Sequence, residues 1–183
     1  MVNRNIKFTV KDYMSIQDDK RYELIEGELV VVPSPSINHQ RILGRLFREL
    51  SEFVENKQLG EVLMAPLDVV FSDHDILQPD ILFVSKERAY INAPGSIRGA
   101  PDLVVDILSP STEQRDRTVK STIYARHGVR EYWLVSLEEP SVEVLSLEAE
   151  GYRRTGIYKV EDSISSSLLQ GLSLPVKSLF TPA

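Results

Sequence analysis

The chain has 183 residues, enough for one domain with a real core and short for two. It has no cysteine, which excludes disulfides, thiolate metal sites and a thiol nucleophile. The formal net charge of −6 argues against charge-driven nucleic-acid binding over the whole surface, while allowing a local basic cleft and leaving carboxylates for a cation. No apolar run approaches a membrane span. Residues 1–10 carry basic groups but no apolar core, so no signal peptide is read and a cytoplasmic location is expected.

In chain order, Thr9 is a plausible cap for a short helix through Tyr13 and Met14. Residues 22–26 and 28–32 read as strands of a hairpin around Gly27. Ser36 or Asn38 then opens the clearest helix. Ile42, Leu43, Leu46, Phe47, Leu50, Phe53 and Val54 fall on one face of it, and Gly60 is read as its stop. Residues 61–71 form an expected long strand, 72–76 a polar turn, 77–84 the next strand, and 85–99 a loop with at most one helical turn.

Residues 103–108 are an apolar run rich in Val and Ile, bounded by Pro101 and by Ser109-Pro110-Ser111, and read as a strand buried on both faces. Ser111 with Gln114 suggests a capping box that opens a helix to about His127, closed by Gly128. Residues 131–135 form a strand containing Trp133, 142–147 and 152–158 a hairpin, and Leu179-Phe180 a tail that packs on the body. The expected architecture is a single α/β domain with a central mixed sheet flanked by helices. It divides into an N-terminal helix and hairpin (1–35), a core (36–136) and a C-terminal hairpin and tail (137–183).

Two apolar strands each carry a carboxylate. Asp106 lies in the middle of the 103–108 run, and Asp80 opens the run after Gln78-Pro79. A buried carboxylate must be paired, protonated or bound to a metal, so Asp106 is either a metal ligand or half of a structural ion pair. If Asp73, His74 and Asp75 form a three-residue turn, Asp68 lies opposite Asp80, and a divalent cation would reverse their repulsion. The other reading of Asp68 is a solvated residue near a sheet edge. Asp102 shares the face of Asp106 but is expected to be exposed or a cap. Asp116 and Lys120 have the spacing of a solvated helix pair, although a helix folding back over its strand can direct Lys120 inward. His74 is expected in solvent, His127 at a helix end, and His39 in a structural role. No phosphate loop, nucleophile elbow or zinc motif is present.

Taken in order, Tyr22-Glu23-Leu24-Ile25-Glu26-Gly27-Glu28-Leu29, Ser34-Pro35 with His39, Gln78-Pro79-Asp80, the run from Pro101-Asp102 to Ser111, Asp116 with Lys120, and Glu131-Tyr132-Trp133 resemble the Uma-type restriction endonuclease family of the PD-(D/E)XK nuclease superfamily. The resemblance spans nearly the whole chain. It implies a restriction-endonuclease-like fold, with Asp80 as the aspartate of the PD element and Asp106 as the second acidic ligand. Leu108 stands where the superfamily carries its lysine. In this family the lysine lies on the following helix, which matches Lys120. The family more often has Glu at the position of Asp106.

By this resemblance, Asp80, Asp106 and the Ile107 carbonyl hold Mg2+, with Mn2+ as a substitute, and Lys120 supports phosphodiester hydrolysis on DNA. Glu28, His39 and Asp68 match family positions and are possible supporting residues. A homodimer is expected by analogy, because cutting both strands needs two sites. The alternatives are a catalytically silent DNA-binding or protein-interaction module that retains the fold, and a structural domain with a buried ion-pair network.

Overall fold

The computed structural model describes residues 7–181. Helix α1 (Val10–Met14) starts at Thr9, which exchanges hydrogen bonds with Asp12 in a capping box. Strands β1 (Tyr22–Ile25) and β2 (Glu28–Val31) form the expected hairpin. Helix α2 (Ile37–Asn56) is capped by the Ser36 hydroxyl and buries Ile42, Leu43, Leu46, Leu50 and Val54. It ends at Lys57 rather than Gly60. Gly60 is needed for another reason: a Cβ there would sit 2.1 Å from the Val84 carbonyl oxygen, at a φ of +153°.

The next strands are β3 (Gly60–Met64), β4 (Asp68–Ser72), β5 (Asp75–Leu77) and β6 (Ile81–Ser85). A 3-10 turn (Lys86–Ile91) leads to β7 (Asn92–Ala93), β8 (Ser96–Arg98) and β9 (Leu103–Ile107). Helix α3 (Glu113–Arg115), a π turn (Asp116–Lys120) and helix α4 (Ser121–His127) follow. Then come β10 (Glu131–Ser136), β11 (Ser141–Glu148), β12 (Gly151–Lys159), β13 (Ser163–Ile164), β14 (Leu174–Pro175) and α5 (Val176–Phe180).

The central sheet has the order β12-β11-β10-β9-β6-β3. β9 and β10 are parallel, and β6 and β11 flank them antiparallel, so the sheet is mixed. The α3–α4 stretch is the crossover that a parallel pair requires. Strand alternation divides the core. Leu103, Val105, Ile107, Trp133 and Val135 meet the stripe of α2 on one face, and α5 adds Val176 and Leu179 there. Val104, Leu134, Ile123 and Tyr124 pack on the other. Asp106 has the parity of Val104 and so points to the α4 face.

Two expected strands are each broken in two. Residues 61–71 divide at Ala65-Pro66-Leu67, and 77–84 divide at Gln78-Pro79-Asp80. Proline lacks the N–H that would continue a ladder. The detached halves, β4 and β5, join a second sheet of order β2-β1-β5-β4-β8-β7. That sheet adds Ile25, Val69, Leu77 and Ile97 to the α4-side core. The stretch expected to be a loop supplies its β7–β8 hairpin, with β8 parallel to β4.

The turn after β4 has two residues, not three: Ser72 pairs with Asp75, and Val69 with Leu77. Asp68 therefore does not face Asp80. It accepts hydrogen bonds from the Gln78 side chain (2.8 Å) and the Tyr13 hydroxyl (2.9 Å). The helix expected from Ser111 starts at Glu113 without a side-chain cap. Ser109 instead meets the hydroxyls of Ser111 and Thr112. No helix among the described residues is long and apolar enough to cross a membrane.

Candidate active site

Asp106 is buried at the centre of β9. Its Oδ2 accepts hydrogen bonds from the hydroxyls of Tyr132 (2.8 Å) and Tyr124 (3.3 Å). Its Oδ1 lies 3.5 Å from the Lys120 ammonium. The π turn carries Lys120 there. A π turn holds an extra residue per turn and shifts the phase of the helix after it. Here both Asp116 and Lys120 are buried within it. The Lys120 Nζ also lies 3.0 Å from Glu23 Oε1 and 3.5 Å from Asp116 Oδ1. The Asp116–Lys120 pair is thus no solvated surface pair. Asp116 Oδ1 is buried without a directed hydrogen bond.

Asp80 sits just before β6. The β6–β9 ladder ends at Ile81 opposite Val105, which leaves the Ile107 N–H without a strand partner. Asp80 Oδ2 takes that N–H at 2.7 Å and faces His39 Nε2 at 3.2 Å. Strand alternation directs the Ile107 carbonyl to the same edge, since Leu108 bonds to β10 on the other side. Glu23, His39, Asp80, Asp106, Asp116 and Lys120 all line one cleft of about 390 Å³.

Three carboxylates, Glu23, Asp106 and Asp116, thus meet a single ammonium, and Asp80 lines the same cleft. Burial, then the charges of Asp116, Asp80 and Glu23, push Asp106 up to about 7 against the pull of Lys120. Asp116 is raised by burial as well. Burial pulls Lys120 down, but Asp106, Glu23 and Asp116 outweigh it and hold the ammonium well above its ordinary value. Tyr124 and Tyr132 are raised by burial and by Asp106, so both stay protonated and donate.

Among the described residues, no three carboxylate or imidazole groups converge as a ready-made metal cage. The donor set nonetheless suits a divalent cation. Mg2+ takes one or two protein carboxylates and fills its shell with water and phosphate oxygens. Asp80, Asp106 and the Ile107 carbonyl are oxygen donors of that kind, in a cluster with excess buried negative charge.

The structure therefore brings Asp80, Asp106, Ile107, Lys120 and His39 into one cleft. It leaves Glu28 exposed opposite Ile25, and Asp68 on Gln78 outside the cleft lining. Asp102 is neither exposed nor a cap. It is fully buried, accepts the Ser85 N–H at 2.8 Å and pairs with Arg88 (3.2 Å) and Arg130 (3.5 Å). Glu23 has no role in the sequence reading, yet it binds Lys120 and accepts the Gln78 N–H at 2.9 Å. Its signal was a carboxylate between apolar strand residues, the pattern that singled out Asp106.

The profile of the Uma2 family, described as "Putative restriction endonuclease", matches residues 10–177. The chain belongs to this family. An uncharacterized protein of Synechocystis sp. is 22% identical over 131 residues, 69% of this chain and 73% of the relative. The crystal structure of a "putative nuclease belonging to DUF820" from Anabaena variabilis superposes with a TM-score of 0.78 at 24% identity, covering 94% of this chain and 97% of that one. That likeness bears on the fold, which is restriction-endonuclease-like.

Proposed function

We propose that this Uma2-family chain is a metal-dependent DNA endonuclease that hydrolyses phosphodiester bonds. The observation that carries the reading is the Lys120 ammonium 3.5 Å from Asp106, in the cleft that also holds Asp80. Asp80, Asp106 and the Ile107 carbonyl would hold Mg2+, or Mn2+ in its place. The bound ion would polarise a phosphoryl oxygen and lower the pKa of a water.

The chain's own residues do the rest. The Ile107 N–H and His39 fix the Asp80 carboxylate, and the tyrosine hydroxyls of Tyr124 and Tyr132 fix Asp106. Glu23 and Asp116 anchor Lys120, so that its charge needs no rearrangement to stabilise the negative charge that develops on the phosphate. Leu108, at the usual lysine position, is buried in the α4-side core, and Lys120 takes the electrostatic role instead. A homodimer would bring the two sites that cutting both strands requires.

The test is incubation of supercoiled plasmid with the protein in Mg2+ and in EDTA. Cutting in Mg2+ alone is the expected result. An intact plasmid in both, with DNA still bound, would assign the chain to the silent-module alternative.

A further inference from the structure

Arg115 lines the same cleft as Asp80, Asp106 and Lys120. Among the described residues seven arginines are engaged with carboxylates: Arg48 with Glu49, Arg88 and Arg130 with Asp102, Arg117 and Arg154 with Glu143, Arg126 with Glu26, and Arg153 with Glu148. Among the described residues, Arg115 has no carboxylate within salt-bridge distance, and its buried Nε–H has no hydrogen-bond acceptor. A buried donor without a partner costs about 1–3 kcal/mol. In a cleft, an oxygen of a bound ligand can complete such a donor.

Apart from Lys120, His39, Arg21 and Arg115, the charged lining of the cleft is acidic: Glu23, Asp80, Asp106, Glu113, Asp116 and Glu138. A polyanion entering it needs cationic contacts of its own. Arg21, on the wall built by β1, is the other arginine of the lining, and its Nε–H reaches only the neutral Gln78 oxygen at 3.3 Å. A guanidinium presents its donors as a planar fork that matches two oxygens of one phosphate.

We infer that Arg115, with charge support from Arg21, is a phosphate clamp that holds the nucleic-acid backbone in the cleft beside the Asp80–Asp106–Lys120 cluster. The clamp rests on the nuclease reading for its ligand, but it is a binding site and does not take part in bond breaking. It fixes where the backbone lies relative to Lys120.

The experiment measures binding of a fluorescent duplex by anisotropy across a salt series, in EDTA and in Ca2+, for the parent, Arg115→Ala, Arg115→Gln and Arg115→Lys. Thermal melts establish that each variant is folded. Arg115→Ala and Arg115→Gln should weaken binding about tenfold and reduce the slope of log affinity against log salt by roughly one, the loss of one phosphate contact. Arg115→Lys should restore the slope but not the full affinity, since an ammonium lacks the fork. Variants that bind with the parent's affinity and slope overturn the clamp. If the parent nevertheless cuts plasmid, the nuclease reading stands without it. A parent that binds through Arg115 and never cuts keeps the clamp and removes the catalysis. A parent that neither binds nor cuts overturns both.

Discussion

Asp106 holds its proton to about 7 because burial and three neighbouring carboxylates outweigh one ammonium. In the unfolded chain the same group titrates near its ordinary 3.8. Between those values the folded chain binds a proton that the unfolded chain does not, so its contribution to stability falls as pH rises through that window. Urea unfolding should show the parent losing ~2 kcal/mol more than Asp106→Asn between pH 5 and pH 8. Parallel pH profiles for the two proteins would remove the buried charge from the account. That Asp80 and Asp106 belong to one cleft is legible because carboxylates in Val- and Ile-rich runs are costly to bury, while Lys120 enters through the family resemblance. Glu23 shows only the carboxylate among apolar strand residues, and its contact with Lys120 is not legible, because a buried contact between β1 and the π turn leaves no local spacing. The Asp116–Lys120 separation of four residues instead reads as an ordinary surface pair.

At the scale of elements, α2, the β1–β2 and β11–β12 hairpins and the buried strand β9 follow the periodicity of their residues. The errors concentrate where a tertiary contact overrides a local pattern. Pro66 and Pro79 sit at the corners where two expected strands divide between sheets, and the π turn replaces a regular helix. The register of the β4–β5 turn differed by one residue, which was enough to separate Asp68 from Asp80. Gly60 reads as a helix stop in the sequence, and in the structure it is the point where β3 passes the Val84 carbonyl. Gly60→Ala should therefore destabilise the protein by about 2 kcal/mol or more, as a backbone clash at a φ unsuited to a side chain. An unchanged denaturation midpoint would contradict that packing.

For the whole molecule, net charge and composition set limits without selecting a function. The acidic chain places its candidate site in an acidic cleft, so the nuclease reading depends on a cation there, and the proposed Arg115 clamp would add a contact for a polyanion. The two sheets and the crossover between β9 and β10 converge on that cleft, and the second sheet contributes Glu23 from β1. If the protein works as a homodimer, sedimentation should give twice the chain mass, and plasmid digestion should yield linear product early. A monomer that accumulates nicked circles would assign one site per cutting event.

The central claim is that Lys120 serves as the catalytic lysine. The most direct test is the cleavage rate of supercoiled plasmid in Mg2+ for the parent and for Lys120→Ala, with near-ultraviolet circular dichroism as the check on folding. The account predicts a folded variant whose rate falls about a hundredfold or more, the scale of losing one preorganised electrostatic group. Lys120→Arg should recover only part of that loss. An active parent whose folded Lys120→Ala variant cuts at the same rate would contradict the account.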